Sequence, residues 1–104
     1  MGDEDIAKIA LIKKYYIRHM DLKARFEEAV IDSGNLSARP SNDSLLQLYS
    51  LYKQAIEGDI NTDPPANPFD FVSKAKYEAW ASLKQTTKED AMKMYIDLIG
   101  KLKN

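Results

Sequence analysis

The sequence predicts an all-α fold, a four-helix bundle, on three observations. Apolar side chains recur at spacings of three and four over four segments. Two-residue alternation, the mark of a half-buried strand, is absent throughout. Glycine, proline and small polar residues fall where helices would have to start or stop. With 104 residues, 44% hydrophobic and 30% charged, the chain is one compact domain, too apolar for disorder and short enough to bury only a modest core.

The first helical segment is expected from about Asp5 to Ile31, and its second half sets Leu22, Phe26, Ala29 and Val30 on one stripe. Gly34 and Pro40 bound the loop that follows. Ser41 or Asn42 then caps a second helix that runs to about Glu57, with Gly58 as its stop. Leu45, Leu46, Leu48, Tyr49, Leu51, Tyr52, Ala55 and Ile56 cover more than one stripe of that helix. A helix apolar on two sides packs against more than one neighbour or lines a ligand groove. Pro64, Pro65 and Pro68 keep the stretch from Asp59 to Pro68 out of helix. A third helix is expected from about Asp70 to Lys84, its inner side drawn from Phe71, Ala75, Ala79, Trp80 and Leu83. Thr86 or Thr87, with Glu89 or Asp90 three residues on, is a capping-box pattern. It opens a fourth helix that continues to about Lys101 along Ala91, Tyr95, Leu98, Ile99 and Leu102.

Composition removes several classes of function. A net charge of −1 argues against a general nucleic-acid binder, which needs a basic face to displace phosphate counterions. The absence of cysteine excludes disulfides and thiolate catalysis, and a single histidine makes a zinc site a poor reading. No metal or cofactor is therefore expected. The apolar run Ile9 to Ile12 is short and is followed at once by Lys13 and Lys14, unlike a secretory signal. No stretch approaches the roughly 20 apolar residues of a membrane span. The expected location is cytoplasmic.

The residues that carry chemistry lie between Leu48 and Asn61. Tyr49, Tyr52 and Lys53 stand three and four apart, which sets two phenol rings beside one ammonium on a helix. An aromatic base can stack on such a ring, and a phosphate can take hydrogen bonds from amine and hydroxyl together. Taken singly, each has an ordinary reading: tyrosines as core rings with the hydroxyl in solvent, lysines as solvated surface charges. Two further blocks follow, FDFVSKAKYEAW (Phe69 to Trp80) and KEDAMKMYIDLI (Lys88 to Ile99).

In this order and spacing the three blocks resemble the acyl-CoA-binding protein family, from about Phe26 to Leu102. The resemblance implies that Tyr49, Tyr52 and Lys53, matching the family's Y-x-x-Y-K element, meet the adenine and the 3′-phosphate. It likewise makes Lys76 a second phosphate-binding lysine and Tyr95 a ring that closes on the pantetheine and acyl end. Leu45, Leu46 and Leu48 would line the groove for the acyl chain. The family often carries lysines where Gly34 and Val72 stand here; Arg39, at a commonly basic position, would make good part of that loss. Tyr77 replaces a usual tryptophan, and the Thr62–Phe69 loop is one residue longer than usual and richer in proline.

The function so implied is non-enzymatic: binding medium- to long-chain acyl-CoA esters one to one, as a monomer, and delivering them to acyl-CoA-using enzymes. A helical interaction scaffold with a weakened or lost site is the alternative. Catalysis is not expected, because no nucleophile with a base, glycine-rich phosphate loop or metal set is visible. Residues 20–104 form the expected acyl-CoA-binding domain. Residues 1–19 are expected to be an N-terminal extension or a cloning remnant, or else a native helix whose Ile6, Ile9, Ala10, Lys13 stem and Ile17 dock on the bundle or on a second copy.

Overall fold

The computed structural model describes the backbone of residues 3–19 and 21–103 and the side chains of residues 5–16 and 21–103. Five helices make it up: α1 (Asp3–His19), α2 (Leu22–Ser33), α3 (Asn42–Glu57), α4 (Phe71–Ala81) and α5 (Lys88–Leu102). There is no strand among the described residues. The all-α reading therefore holds, with one correction at the start. The single segment expected from Asp5 to Ile31 is two helices, parted at Asp21. That residue is extended (φ −63°, ψ 157°), and its carboxylate accepts a hydrogen bond from the Ala24 backbone N–H at 2.8 Å. An aspartate side chain competes with the backbone for helical N–H groups, so it starts a helix more readily than it continues one.

Caps also bound the other helices. Ser41, Asp70 and Thr87 each accept from the backbone N–H three residues on. Gly58 ends α3 at φ +79°, a backbone region that favours glycine. The third helix is shorter than expected. Its α-helical part closes at Ala81, and the next residues tighten into three-residue turns, with Leu83 and Lys84 N–H bonded to the Trp80 and Ala81 carbonyls.

Helices α2, α3 and α5 build the core. Phe26 and Ala29 come from α2, Leu48, Leu51 and Ala55 from α3, and Ala91, Tyr95 and Ile99 from α5. Helix α4 packs against α3 alone and buries only Trp80 fully. With no third helix to cover its first turn, Phe71 is 72% exposed, where the periodicity suggested an inner position. The consequence for function is that α3 serves two surfaces. One side meets the core, and the other faces α4 across a seam that stays open.

A buried amide holds that seam at its far end. Gln54, 0% exposed, donates from Nε2 to the Asp59 carboxylate (2.9 Å) and the Thr86 carbonyl (2.7 Å), while its Oε1 accepts from the Trp80 indole N–H (3.1 Å). The indole also donates to the Gly58 carbonyl at 2.9 Å. Asp59 further accepts the Gln85 backbone N–H at 2.7 Å, pinning the one non-glycine residue with positive φ (78°) among those described. These bonds, the Gln85 N–H first, hold the Asp59 carboxyl below the usual carboxylate range. A carboxylate depressed in the folded state contributes stability that is fully present above its unfolded value and lost as pH falls through the folded one. Urea midpoints of the wild type should therefore fall between pH 4 and pH 3 more steeply than those of Asp59→Asn. Parallel pH profiles would show that Asp59 contributes nothing.

Candidate ligand-binding groove

Two neighbouring concavities open along the α3–α4 seam. The larger, about 530 Å³, is mainly apolar: Leu45, Leu46 and Tyr49 form one wall and Phe71, Val72 and Ala75 the other, with Arg39 and Asn42 at one end and Lys76 in the lining. The second, about 370 Å³, is the more polar of the two: Tyr49, Lys53, Ser73, Lys76, Tyr77 and Trp80 line it with the loop residues Thr62, Asp63 and Pro65. Tyr49 and Lys76 belong to both. Each volume falls within the range of small-molecule pockets.

The register across the seam explains this division. Lys76 Nζ sits 5.3 Å from the centre of the Tyr49 ring, and Lys53 Nζ sits 4.8 Å from that of Trp80. Going one turn along α3, from 49 to 53, moves the partner one turn along α4, from 76 to 80. The two helices therefore run parallel. Their first turns bring leucines opposite Phe71 and Val72, and their later turns bring the lysines together. The result is an apolar trough beside a cationic one, with Tyr49 and Lys76 shared between them. Both cation–ring contacts leave the ammonium protons free to bond an anion.

Lys53 is also held by Glu57, one turn on, in a half-buried ion pair. The hydrogen bond that Lys53 donates to Glu57 holds the ammonium above its ordinary pKa, and the same bond holds the Glu57 carboxyl below its own. An arriving phosphate has to compete with this carboxylate. Glu57→Gln should accordingly tighten binding of an anionic ligand about threefold to tenfold, and the gain should fade in high salt. Titration calorimetry at two ionic strengths checks it; unchanged or weaker binding sinks the idea.

Of the residues singled out from the sequence, the seam brings together Tyr49, Lys53, Lys76, Arg39, Leu45 and Leu46. The other three lie elsewhere. Tyr52 turns toward α2, where its ring stacks on Phe26 at 6.0 Å. Tyr95 is 4% exposed and meets Phe26 edge-on at 5.2 Å, and Leu48 is 7% exposed in the core. None of these three lines either concavity. Arg39, expected to help at the nucleotide end, stands at the apolar trough's end beside Val72, bonded to Asn42 Oδ1 (3.2 Å) and the Pro40 carbonyl (3.3 Å). Gly34 caps α2 and lines neither concavity.

Several lining residues were not singled out as site residues from the sequence: Asn42 was read as a cap, Pro65 as a helix breaker, Phe71, Ala75 and Trp80 as inner positions and Tyr77 as a replaced tryptophan, while Thr62, Asp63 and Ser73 were given no part in the site. For α4 the signal was present. Ser73, Lys76, Tyr77 and Trp80 recur at spacings of three, four and seven, which makes one mixed polar–aromatic face. Among the described residues no group of carboxylates and imidazoles could hold a metal ion. Ser73 Oγ donates to Asp70 Oδ2 at 2.8 Å, a helix cap and not a nucleophile with a base.

Residues 23–99 match the family model described as acyl CoA binding protein. This chain belongs to the acyl-CoA-binding protein family. Among curated relatives, the acyl-CoA-binding protein of Dictyostelium discoideum is 47% identical over 77 residues, covering 74% of this chain and 90% of that one. Acyl-CoA-binding protein homolog 1 of Caenorhabditis elegans is 44% identical over 77 residues, with 74% and 88% covered. The fold matches the crystal structure of Oryza sativa acyl-CoA-binding protein 2 with a TM-score of 0.74 at 35% identity, over 79% of this chain and 90% of that one. It matches that of the Moniliophthora perniciosa protein at 0.69 and 38% identity, over 77% of each. The family match begins after α1, so that helix lies outside it.

Proposed function

We propose that this chain binds medium- to long-chain acyl-CoA esters one to one and acts as a carrier, without catalysis of its own. The observation that carries the reading is the junction at Tyr49 and Lys76, where an apolar trough lies beside a cationic one. An acyl-CoA has the same division, an alkyl chain at one end and a phosphorylated adenine nucleotide at the other. In this reading Lys53 and Lys76 take the phosphates, Tyr49 offers a face to the adenine, and Leu45, Leu46, Phe71, Val72 and Ala75 receive the chain. Leu48 and Tyr95 support the site from the core behind α3, and Tyr52, its ring on Phe26, keeps an exposed edge. Residues 20–104 form the binding domain, and residues 1–19 are an extension to it. A monomer in the cytoplasm, handing its ligand to acyl-CoA-using enzymes, completes the proposal. Among the described residues no helix is long and apolar enough to cross a membrane.

Both ends of the ligand are needed for tight binding. Burying even four methylenes contributes about 3 kcal/mol, roughly a hundredfold in affinity. A calorimetric titration with palmitoyl-CoA should give one site, with free CoA and palmitate each at least a hundredfold weaker. Absence of heat and of competition with the thioester would instead leave a helical scaffold with a lost site.

A further inference from the structure

Helix α1 is the part of the molecule that the carrier function leaves unused. It spans 17 residues, and among the described residues it packs against none of the other four helices. The Cα radius of gyration is 17.8 Å, against about 13 Å for a compact chain of this length, because α1 stands away from the bundle. Ile6, Ile9, Ile12 and Tyr16 are 53–68% exposed. At about 100° per residue they share an arc of roughly 120°.

Charge is segregated along the helix, with Asp5 the one acidic residue that projects into the arc, at its N-terminal end. Asp3, Glu4 and Asp5 fill the first turn, where they complement the helix dipole. From Ile6 to Met20 there is no acidic residue, while Lys8, Lys13, Lys14 and Arg18 are basic. Beyond that point, Asp21 to Asn104 carries eleven Lys and Arg against thirteen Asp and Glu, so the bundle has the opposite sign. Lys8 and Lys14 flank the apolar arc on its two sides, and Lys13 falls within it, between Ile6 and Ile9 in angle. In a helix–helix seam that lysine would be a buried charge without a partner. At a lipid surface its stem lies along the acyl layer while its ammonium reaches the phosphates.

We propose that α1 is an interfacial anchor that lies on an anionic phospholipid bilayer, its isoleucine face in the headgroup–acyl boundary and its lysines on lipid phosphates. The bundle, net negative, does not share the attraction and stays in solution. The carrier's groove would then work beside a membrane without the chain crossing it.

The test is co-sedimentation of the full chain with phosphatidylcholine vesicles, with and without about one third phosphatidylglycerol, alongside palmitoyl-CoA titration of every variant. Partitioning should be at least tenfold stronger on the anionic vesicles. Since each basic residue near such a surface is worth about fivefold, Lys13→Glu with Lys14→Glu should lower it by roughly 30-fold or more. Ile9→Glu with Ile12→Glu should abolish it. Palmitoyl-CoA affinity should stay within twofold in both variants, because α1 touches neither trough; its loss in the wild type would sink the carrier reading and leave the anchor to be judged on vesicles alone. Equal binding to neutral and anionic vesicles, or a charge-reversed variant that binds like the wild type, overturns the proposal. So does an absence of vesicle binding together with a dimer in sedimentation equilibrium that Ile9→Glu dissociates, which would assign the face to a second copy.

Discussion

Replacing Lys53 and Lys76 together by alanine should lower palmitoyl-CoA affinity more than a hundredfold while the far-UV spectrum is unchanged. Among the described residues the two ammonium groups are the only lysines in the polar trough, each poised over an aromatic ring. A charge-assisted hydrogen bond is worth about 1.5–3 kcal/mol, so losing one at each site costs about 3 kcal/mol or more, and roughly 1.4 kcal/mol is tenfold. Neither lysine belongs to the hydrophobic core, so the fold should not suffer. Lys74 supplies the control: it is exposed on the same helix and lines neither trough, so Lys74→Ala should change affinity less than twofold. A double variant within twofold of wild type would remove these lysines from the site.

Gln54→Ala should destabilise the bundle by about 3 kcal/mol, one of the largest single effects available to a polar residue here. The substitution opens a cavity and strips the Thr86 carbonyl and the Asp59 carboxylate of a donor in a part-buried place. Trp80 keeps its bond to the Gly58 carbonyl, which limits the loss. For a domain of this size the melting temperature should fall by about 15 °C. The ligand site should weaken too, because Trp80 forms the floor beneath Lys53. A shift under about 3 °C would mean that water replaces the amide without cost.

The helices and most of their ends were legible because their causes are local. Gly58, Ser41 and the Thr87 capping pattern act within one turn of themselves. Asp21 is the instructive exception. The helical periodicity on both sides of it is unbroken in the sequence, and among the described residues the extended backbone at Asp21 parts α1 from α2. The two-sided character of α3 could also be read, and with it the presence of a groove. Its far wall could not. Phe71 and Val72 look like core residues by periodicity, and what leaves them exposed is that α4 packs on a single neighbour.

By itself, then, the sequence determined the helical class, the caps, the two faces of α3 and the residue types that suit a phosphorylated, lipidic ligand. Each of these follows from residues within a few positions of one another. The tertiary structure alone decided which of those residues meet. It set α3 and α4 parallel, so that Tyr49 faces Lys76 and Lys53 faces Trp80. It turned Tyr52 away to Phe26 and kept Tyr95 in the core. It also left α1 unpacked. Contacts between helices distant in sequence are settled by which apolar faces find the most cover, and a residue's own neighbours do not encode that competition.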